Sequence, residues 1–342
     1  MRRCAPKPRG APRRAATTTP SGSPASPSDP GHEPRPGSAS RTVFLGTSEF
    51  AAAVLECLAS LAQAPVLVLT RPDRPRGRGR RLASPPVADS ARALAIPVVQ
   101  PPSVNDPQAR EQIAAAAPDA MIVCAFGALI KEPLLSEREI LNVHPSLLPR
   151  WRGAAPIERA IMAGDAQTGV SIMRLSAGLD SGPVCLRAVE PILPRDTYGS
   201  LALRLERIGG ELLVRALTEP VDFVEQSEEG VSYAEKIVAH DRLLDPSRPA
   251  VELERVVRAL SPHIGARVEL ADGNVLGVQR AAVVAEGVEP EQAGSQRGLF
   301  ERDGRLLLGC RPGALELLEV QPPGGRPMDG SAYLRGRGLP RR

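Results

Sequence analysis

The sequence has few cysteines and no long apolar run, and each absence excludes a class of protein. Five cysteines occur among 342 residues, at wide spacings and without any Cys-x-x-Cys pair. Neither a disulfide framework nor a zinc site is therefore expected, and a reducing cytoplasm is the predicted compartment. No stretch approaches the roughly 18–20 consecutive apolar residues that a membrane span requires, so no membrane partner is expected.

The first 40 residues also have almost nothing to bury. They contain nine of the 36 prolines, together with seven basic and two acidic residues. Such a segment cannot offset its own chain entropy, so residues 1–40 are predicted to be a disordered, basic, proline-rich tail. No apolar segment follows the basic start, which excludes a secretory signal, and the prolines oppose a transit peptide. The favoured interpretation is that these residues are a dispensable extension, or that the start codon is assigned too far upstream. An arm that attracts RNA stays open as the alternative.

From residue 41 onward, short apolar runs alternate with segments of helical periodicity. The pattern predicts strands at 42–46, 66–70, 96–99, 121–125, 140–144 and 170–174, with helices at 50–61, 87–94, 108–117, 156–163 and 201–217. Short apolar strands that alternate with helices are typical of a largely parallel, doubly wound α/β sheet. The first folded domain is predicted to cover residues 41–222.

The character of the sequence changes after this domain. Residues 223–248 are polar, contain Pro246 and lie between Pro220 and Pro249, which suits a linker. Beyond it we predict a helix at 251–260 and short strands at 267–270, 274–279, 306–309 and 315–320, separated by Asp-Gly or Gly turns. Residues 249–342 are therefore predicted to form a smaller, mostly β domain.

The most informative segment is residues 142–157, which read NVHPSLLPRWRGAAPI. Asn142 and His144 are two residues apart at the end of an apolar strand, so their side chains point to the same face. The carboxyl ends of parallel strands are where open α/β sheets place their sites. A lone histidine would be read as hydrogen-bonded and without function, and a lone Asp180 as an ordinary Asx turn. Their combination with Asn142, and the glycines that flank Asp180, favour a catalytic interpretation.

Asparagine, histidine and aspartate together suit acyl transfer to an amine. An amine that attacks a formyl carbon creates an oxyanion, and each hydrogen-bond donor to that oxygen is typically worth roughly 10²–10³ in rate. The aspartate could orient the ring or accept the amine proton, directly or through water. The rigid loop that follows could bind a flat heterocycle through its backbone groups; it consists of Ser146, Leu147, Leu148 and Pro149.

A second segment, residues 71–81, concentrates positive charge. It reads RPDRPRGRGRR and contains Arg71, Arg74, Arg76, Arg78, Arg80 and Arg81 with one aspartate, whereas the rest of residues 41–342 carries a net charge of −6. Its glycines and prolines predict an exposed, irregular loop at the same sheet edge. Arginine pairs bidentately with phosphate and stacks on bases, so the segment predicts salt-dependent binding of nucleic acid. A merely solvated charged face is the alternative.

Taken together, these segments resemble the methionyl-tRNA formyltransferase family, from about residue 42 to residue 339. The strongest matches are residues 44–47, 71–82 and 142–157; residues 169–173 and 178–182 follow, and 233–236 and 334–338 add weaker support. The Asn-x-His pair with the aspartate is shared by all 10-formyltetrahydrofolate-dependent formyltransferases, so it identifies the chemistry. The arginine segment is more specific to the enzymes that act on tRNA.

The resemblance implies a Rossmann-like formyltransferase domain and a C-terminal OB-like β-barrel domain that binds tRNA. It implies Asn142, His144 and Asp180 as the catalytic set, a folate site that includes residues 146–149, and an arginine loop that wedges into the acceptor end of initiator tRNA. Arg78, between two glycines, is the best single candidate for insertion. The implied reaction is formyl transfer from 10-formyltetrahydrofolate to the amino group of methionyl-tRNA, for translation initiation, with no metal. A monomer is expected.

Two other functions are alternatives to this one. A formyltransferase for a small amine, such as a ribonucleotide or an amino sugar, would not need the arginine loop. A non-catalytic RNA-binding module would not need the predicted catalytic set. The sequence also departs from the family pattern at Phe126, which replaces a tyrosine, at Pro183, which replaces an acid, and around His263, where an expected aromatic residue is lacking.

Overall fold

The computed structural model describes residues 40–76, 79, 81–284, 298–337 and 339. The predicted tail lies outside the described residues except for Ser40. Arg78 and Arg80 of the arginine segment also lie outside them, and the side chain of Arg76 is not described.

The larger part of the chain alternates strands and helices. In chain order its elements are β1 (Thr42–Gly46), α1 (Glu49–Ser60), β2 (Leu67–Leu69), β3 (Arg74–Arg76), β4 (Arg81–Ala83), α2 (Pro86–Ala93), β5 (Val98–Val99), α3 (Pro107–Ala115), β6 (Ala120–Cys124), α4 (Leu134–Glu137), β7 (Ile140–His144), β8 (Arg152–Gly153), α5 (Pro156–Ala163), β9 (Gln167–Arg174), β10 (Val184–Pro191) and α6 (Tyr198–Thr218).

Seven of these strands form one sheet, in the order β10-β9-β7-β6-β1-β2-β5. The five strands from β7 to β5 are parallel, whereas β9 and β10 are antiparallel to their neighbours. The residues of β1, β6 and β7 are buried throughout, because helices cover both faces of a parallel sheet. This is the largely parallel α/β sheet that the sequence predicts, with β10 as a strand that it did not predict.

Most of the remaining elements build a second sheet. In chain order, the remaining elements are β11 (Tyr233–Ala234), a 3-10 turn (His240–Arg242), α7 (Ala250–Leu260), β12 (Ala266–Glu269), β13 (Val275–Val284), β14 (Leu299–Arg302), β15 (Arg305–Gly309), β16 (Ala314–Gln321), β17 (Met328–Asp329) and α8 (Gly330–Arg337). β11 pairs with β8, whereas the second sheet has the strand order β12-β13-β16-β15-β14, with β17 also on β16, and every pairing in it is antiparallel. The apolar face of α7 packs into the core of this sheet through Leu253 and Val257.

The arginine segment differs from its predicted form. Residues 71–81 were expected to lack regular structure, but β3 and β4 pair as an antiparallel hairpin in which Arg74 lies opposite Ala83. Pro75 is compatible with this pairing, because each strand of a two-stranded ribbon has one unpaired edge that needs no amide donor. The prediction of an irregular loop is therefore wrong.

The segment between α6 and α7 pairs twice with the larger part of the chain. Val224 forms an isolated antiparallel bridge with Val184, and β11 pairs in parallel with β8. The segment predicted as a linker therefore passes along the same region as the predicted site residues. No helix among the described residues combines the length and apolar character that a bilayer crossing requires.

Candidate active site

The structure brings the three predicted catalytic residues together. Asn142 and His144 project from the end of β7, and Asp180 lies in the loop that joins β9 to β10. Asn142 Nδ2 donates to Asp180 Oδ1 at 3.3 Å, and His144 Nδ1 lies 3.7 Å from Asp180 Oδ2. Asn142 is 7% and His144 4% exposed, so the polar cluster is shielded from bulk water. Low exposure strengthens the electrostatic interactions among such groups.

The backbone of Trp151 fixes the orientation of the His144 ring. His144 Nε2 lies 2.8 Å from the carbonyl oxygen of Trp151, and a carbonyl can only accept, so Nε2 carries a hydrogen. Nδ1 is therefore the nitrogen that faces Asp180. Trp151 has a φ of 64°, an uncommon conformation for a bulky residue. Its indole donates to Asp165 at 2.8 Å, and the Arg150 guanidinium stacks over its ring at 4.4 Å.

The carboxylate of Asp180 is also held by a backbone group. The N–H of Gly153, at the end of β8, donates to Asp180 Oδ2 at 2.8 Å. Gly153 has a φ of 126°, and a Cβ at this position would lie 2.7 Å from the carbonyl oxygen of Ala234. Only glycine therefore allows β8 to approach β11 and present this N–H. Sequence reasoning missed both backbone contacts, because a lone Gly153 after Arg152 gives no sign of where its amide points.

The predicted folate loop is divided between buried and accessible groups. The Ser146 hydroxyl donates to the Arg150 carbonyl at 2.6 Å, and Leu148 packs against Met173 and Val184. Leu147 instead borders a cavity of about 260 Å³ that Arg150, Trp151 and Thr168 also line. Pro149 is partly exposed. Because the side chains of Ser146 and Leu148 are buried, a folate contact from these two residues must use backbone groups, and it stays a prediction.

The arginine hairpin adjoins the edge of the sheet that carries these residues. The Thr47 hydroxyl, just after β1, donates to the Phe126 carbonyl at 2.8 Å, and Arg71 Nη1, just after β2, donates to the Gly127 carbonyl at 2.9 Å. These bonds join the carboxyl ends of β1, β2 and β6 next to β7. Neighbouring strands lie about 4.8 Å apart, so the hairpin begins roughly 15 Å from His144. Arg74 and Arg81 are exposed.

The structure shows the contacts made at each of the three positions that depart from the family pattern. Phe126 is buried and packs among apolar residues, so the absent phenol leaves no gap in polar contacts there. The Pro183 carbonyl accepts from the Arg174 N–H at 2.9 Å. His263 stacks on Tyr198 with ring centroids 3.7 Å apart, so an aromatic partner that the local sequence lacks comes from α6. Near Phe126, burial raises the pKa of the Cys124 thiol, which keeps it neutral.

Solved structures of other proteins share the architecture of this chain. HypX from Aquifex aeolicus in complex with tetrahydrofolic acid superposes with a TM-score of 0.59 at 18% identity, over 87% of this chain and 47% of HypX. This chain thus spans about half the length of HypX. An N-formyltransferase from Helicobacter canadensis, in complex with folinic acid and dTDP-3-aminofucose, has a TM-score of 0.57 at 15% identity over 81% of this chain and 98% of that protein. The fold is that of formyltransferases, which confirms the predicted Rossmann-like sheet with a smaller OB-like antiparallel β part.

Sequence relatives narrow this class. Residues 40–217 match the Formyl transferase family, and residues 236–338 match the Formyl transferase C-terminal domain. The methionyl-tRNA formyltransferase of Halorhodospira halophila is 43% identical over 307 residues, which cover 88% of this chain and 97% of that protein. That of Thiobacillus denitrificans is 41% identical over 303 residues, 87% and 97% of the two chains. The chain belongs to the methionyl-tRNA formyltransferase family, as the sequence motifs predict.

Proposed function

We propose that this protein transfers the formyl group of 10-formyltetrahydrofolate to the amino group of methionine on initiator methionyl-tRNA, for translation initiation. The observation that carries the proposal is the convergence of Asn142 and His144 on the Asp180 carboxylate at the carboxyl edge of the sheet. The similarity to methionyl-tRNA formyltransferases supports the same substrate. The arginine hairpin on that edge supplies the groups that a phosphate backbone would contact.

The reaction requires only positioned donors and one proton acceptor. The methionyl nitrogen forms a bond to the formyl carbon, the bond from that carbon to the folate nitrogen breaks, the amine loses one proton and the folate nitrogen gains one. Asn142 Nδ2 and a protonated His144 Nδ1 would donate to the oxyanion that develops on the formyl oxygen. Asp180 would accept the amine proton, directly or through water. No side chain of the protein needs to become acylated.

Both substrates have candidate contacts around this cluster. The co-substrate would bind through backbone groups of residues 146–149, beside the catalytic strand. The acceptor end of the tRNA would contact the arginines of residues 71–81, with Arg74 and Arg81 accessible and Arg71 partly engaged by Gly127. Within this proposal residues 41–222 form the catalytic domain, 223–248 the linker and 249–342 the tRNA-binding domain of a cytoplasmic monomer.

A formylation assay tests the proposal directly. The protein is incubated with methionine-charged initiator tRNA and labelled 10-formyltetrahydrofolate, and the formylated product is counted. In parallel, an amino-sugar nucleotide replaces the tRNA as acceptor. Formylation of the tRNA alone is the expected result. Formylation of the amino sugar alone would identify a small-amine enzyme, and binding of tRNA by Asn142→Ala with unchanged formylation would identify an RNA-binding module.

A further inference from the structure

The loop that carries Asp180 adopts a conformation that its own residues do not favour. Asp180 has a φ of 44°, in the left-handed region that costs a residue with a side chain about 1 kcal/mol or more. Two residues later, a Cβ at Gly182 would collide with the carbonyl oxygen of Arg174, so the loop lies tight against β9. A strained loop persists only when neighbouring groups hold it.

One side chain from the segment between α6 and α7 supplies that hold. Gln226 Nε2 donates to the carbonyl oxygens of both Asp180, at 2.8 Å, and Gly182, at 2.7 Å. Gln226 is only 9% exposed. Two residues earlier, Val224 exchanges two backbone hydrogen bonds with Val184, at 2.9 and 3.0 Å, so the chain is fixed next to the loop. The amide of Gln226 therefore spans the loop on either side of the Ser181 peptide.

The other end of the Gln226 amide connects to the strand that holds the Asp180 carboxylate. Gln226 Oε1 accepts from Arg152 Nε at 3.0 Å, and the next residue, Gly153, donates its N–H to Asp180 Oδ2. Arg152 is 5% exposed, and no carboxylate pairs with it within the parts of the chain that the structure describes. Gln226 thus connects the backbone of Asp180 to β8, whose Gly153 N–H orients the Asp180 side chain.

We propose that Gln226 is a positioning residue for formyl transfer, which acts through Asp180 and not through contact with either substrate. The inference rests on the proposed function. The position needs a neutral amide, since one end must donate to two carbonyls and the other must accept from a buried guanidinium. Glutamate would retain the size and the acceptor, but it would place a charge against two carbonyl oxygens and donate to neither.

The two hydrogen bonds from Gln226 Nε2 to the carbonyl oxygens of Asp180 and Gly182 are here called the clamp. The first measurement examines the clamp without reference to activity. Hydrogen exchange is followed in peptides that cover residues 176–184, in the wild type and in Gln226→Glu and Gln226→Leu. Both variants should show faster exchange in this loop, with unchanged exchange in β6 and β7. Gln63→Leu is the matched control, because Gln63 follows α1 at the opposite edge of the sheet. Unchanged exchange of the loop in a folded Gln226→Glu would refute the clamp.

The second measurement examines the positioning role by steady-state formylation kinetics. Loss of alignment by about 1 Å can cost roughly 100-fold in rate, so both Gln226 variants should lose roughly 10–100-fold in kcat. KM for the tRNA and for the folate should change by less than about threefold, because neither substrate touches Gln226. In an Asp180→Asn background, Gln226→Glu should add less than about twofold, since the residue through which it acts is already altered.

The outcomes separate the two proposals. A wild type that formylates tRNA, together with Gln226 variants that keep their kcat, would refute the positioning role and leave the proposed function intact. Full additivity with Asp180→Asn, or a loss confined to KM, would refute it as well. A wild type that formylates no tRNA, although the loop exchange responds to Gln226→Glu, would refute the proposed function and with it the positioning role, while the clamp itself would stand.

Discussion

Asp196 forms an ion pair with Arg204, and its contribution to the free energy of unfolding follows from the pKa of its carboxyl. Its carboxylate lies just before α6, is 5% exposed, and accepts two hydrogen bonds from Arg204 at 2.6 and 2.9 Å. The Ser200 hydroxyl and the Leu193 N–H donate to it at 2.7 Å each. Burial by itself opposes the charge, but these donors outweigh it and lower the pKa of Asp196 from 3.8 to about 2. Its backbone carbonyl accepts from Arg258 of α7 at 2.7 Å, so the group also joins α6 to the second core.

The sign and size of its contribution to stability follow from linkage. A carboxyl whose pKa is lower in the folded state stabilises that state above its unfolded pKa, and the contribution is lost as pH falls through the folded pKa. One pKa unit corresponds to about 1.4 kcal/mol, so Asp196 contributes about 2 kcal/mol to the free energy of unfolding at pH 7. Because pH 3 lies between the two pKa values, the contribution there falls to about 1 kcal/mol.

The perturbation is Asp196→Asn, which keeps the size and removes the charge. Urea unfolding is followed through the fluorescence of Trp151, the one tryptophan of the chain. The variant should lose about 2 kcal/mol at pH 7 and about 1 kcal/mol at pH 3. The control Asp222→Asn, at an exposed position, should stay within about 0.5 kcal/mol of the wild type at both pH values. An equal loss at pH 7 and pH 3, or no loss at pH 7, would show that the charge of Asp196 does not stabilise the fold.

Three further predictions concern activity. His144→Ala should lower kcat roughly 1,000-fold, because the ring acts on the reacting atoms and not on the phosphate backbone. The affinity for tRNA, measured by filter binding, should be nearly unchanged. Normal turnover would overturn the assignment. Gly153→Ala should lower kcat, since a Cβ there pushes β8 away from β11 and withdraws a hydrogen-bond donor from Asp180. Circular dichroism should show no loss of secondary structure. Unchanged kcat would show that the Gly153 N–H is dispensable. The slope of log Kd for initiator tRNA against log salt should fall by about 1 in each of three variants, Arg74→Ala, Arg78→Ala and Arg81→Ala. The control Arg187→Ala, on β10 at the far edge of the sheet, should leave the slope unchanged. An equal effect at Arg187 would indicate nonspecific attraction.

The elements that the sequence predicts well are those whose residues are buried on both faces. The strands β1 and β6 consist almost wholly of apolar residues, as does β7 apart from Asn142 and His144, and such runs are characteristic of a sheet covered by helices. β10 was missed because its buried, partly buried and exposed positions mix apolar with charged residues. Its partner is β9 at the sheet edge, so the strand is defined by pairing and not by its own pattern.

Only some members of the candidate site could be predicted from the sequence. The side-chain members could be proposed because Asn142 and His144 share a strand face and Asp180 stands among glycines. The backbone members, the Trp151 carbonyl and the Gly153 N–H, could not, because every residue carries these groups and only the fold decides where they point. Gln226 was missed for another reason: it contacts a loop 46 residues earlier in the chain, and no local periodicity marks such a contact.

The hairpin changes how the arginine charges act on a ligand. In a disordered loop six arginines would sample many directions, and ordering them on a phosphate backbone would cost conformational entropy. In the hairpin, Ala83 lies opposite Arg74 and two residues from Arg81, so both arginines share one face of the ribbon. The pairing of β3 with β4 has already fixed the backbone of these two residues, so less entropy is lost on binding. The local positive charge is therefore directed by the fold, and it begins at the same sheet edge that holds Asn142 and His144.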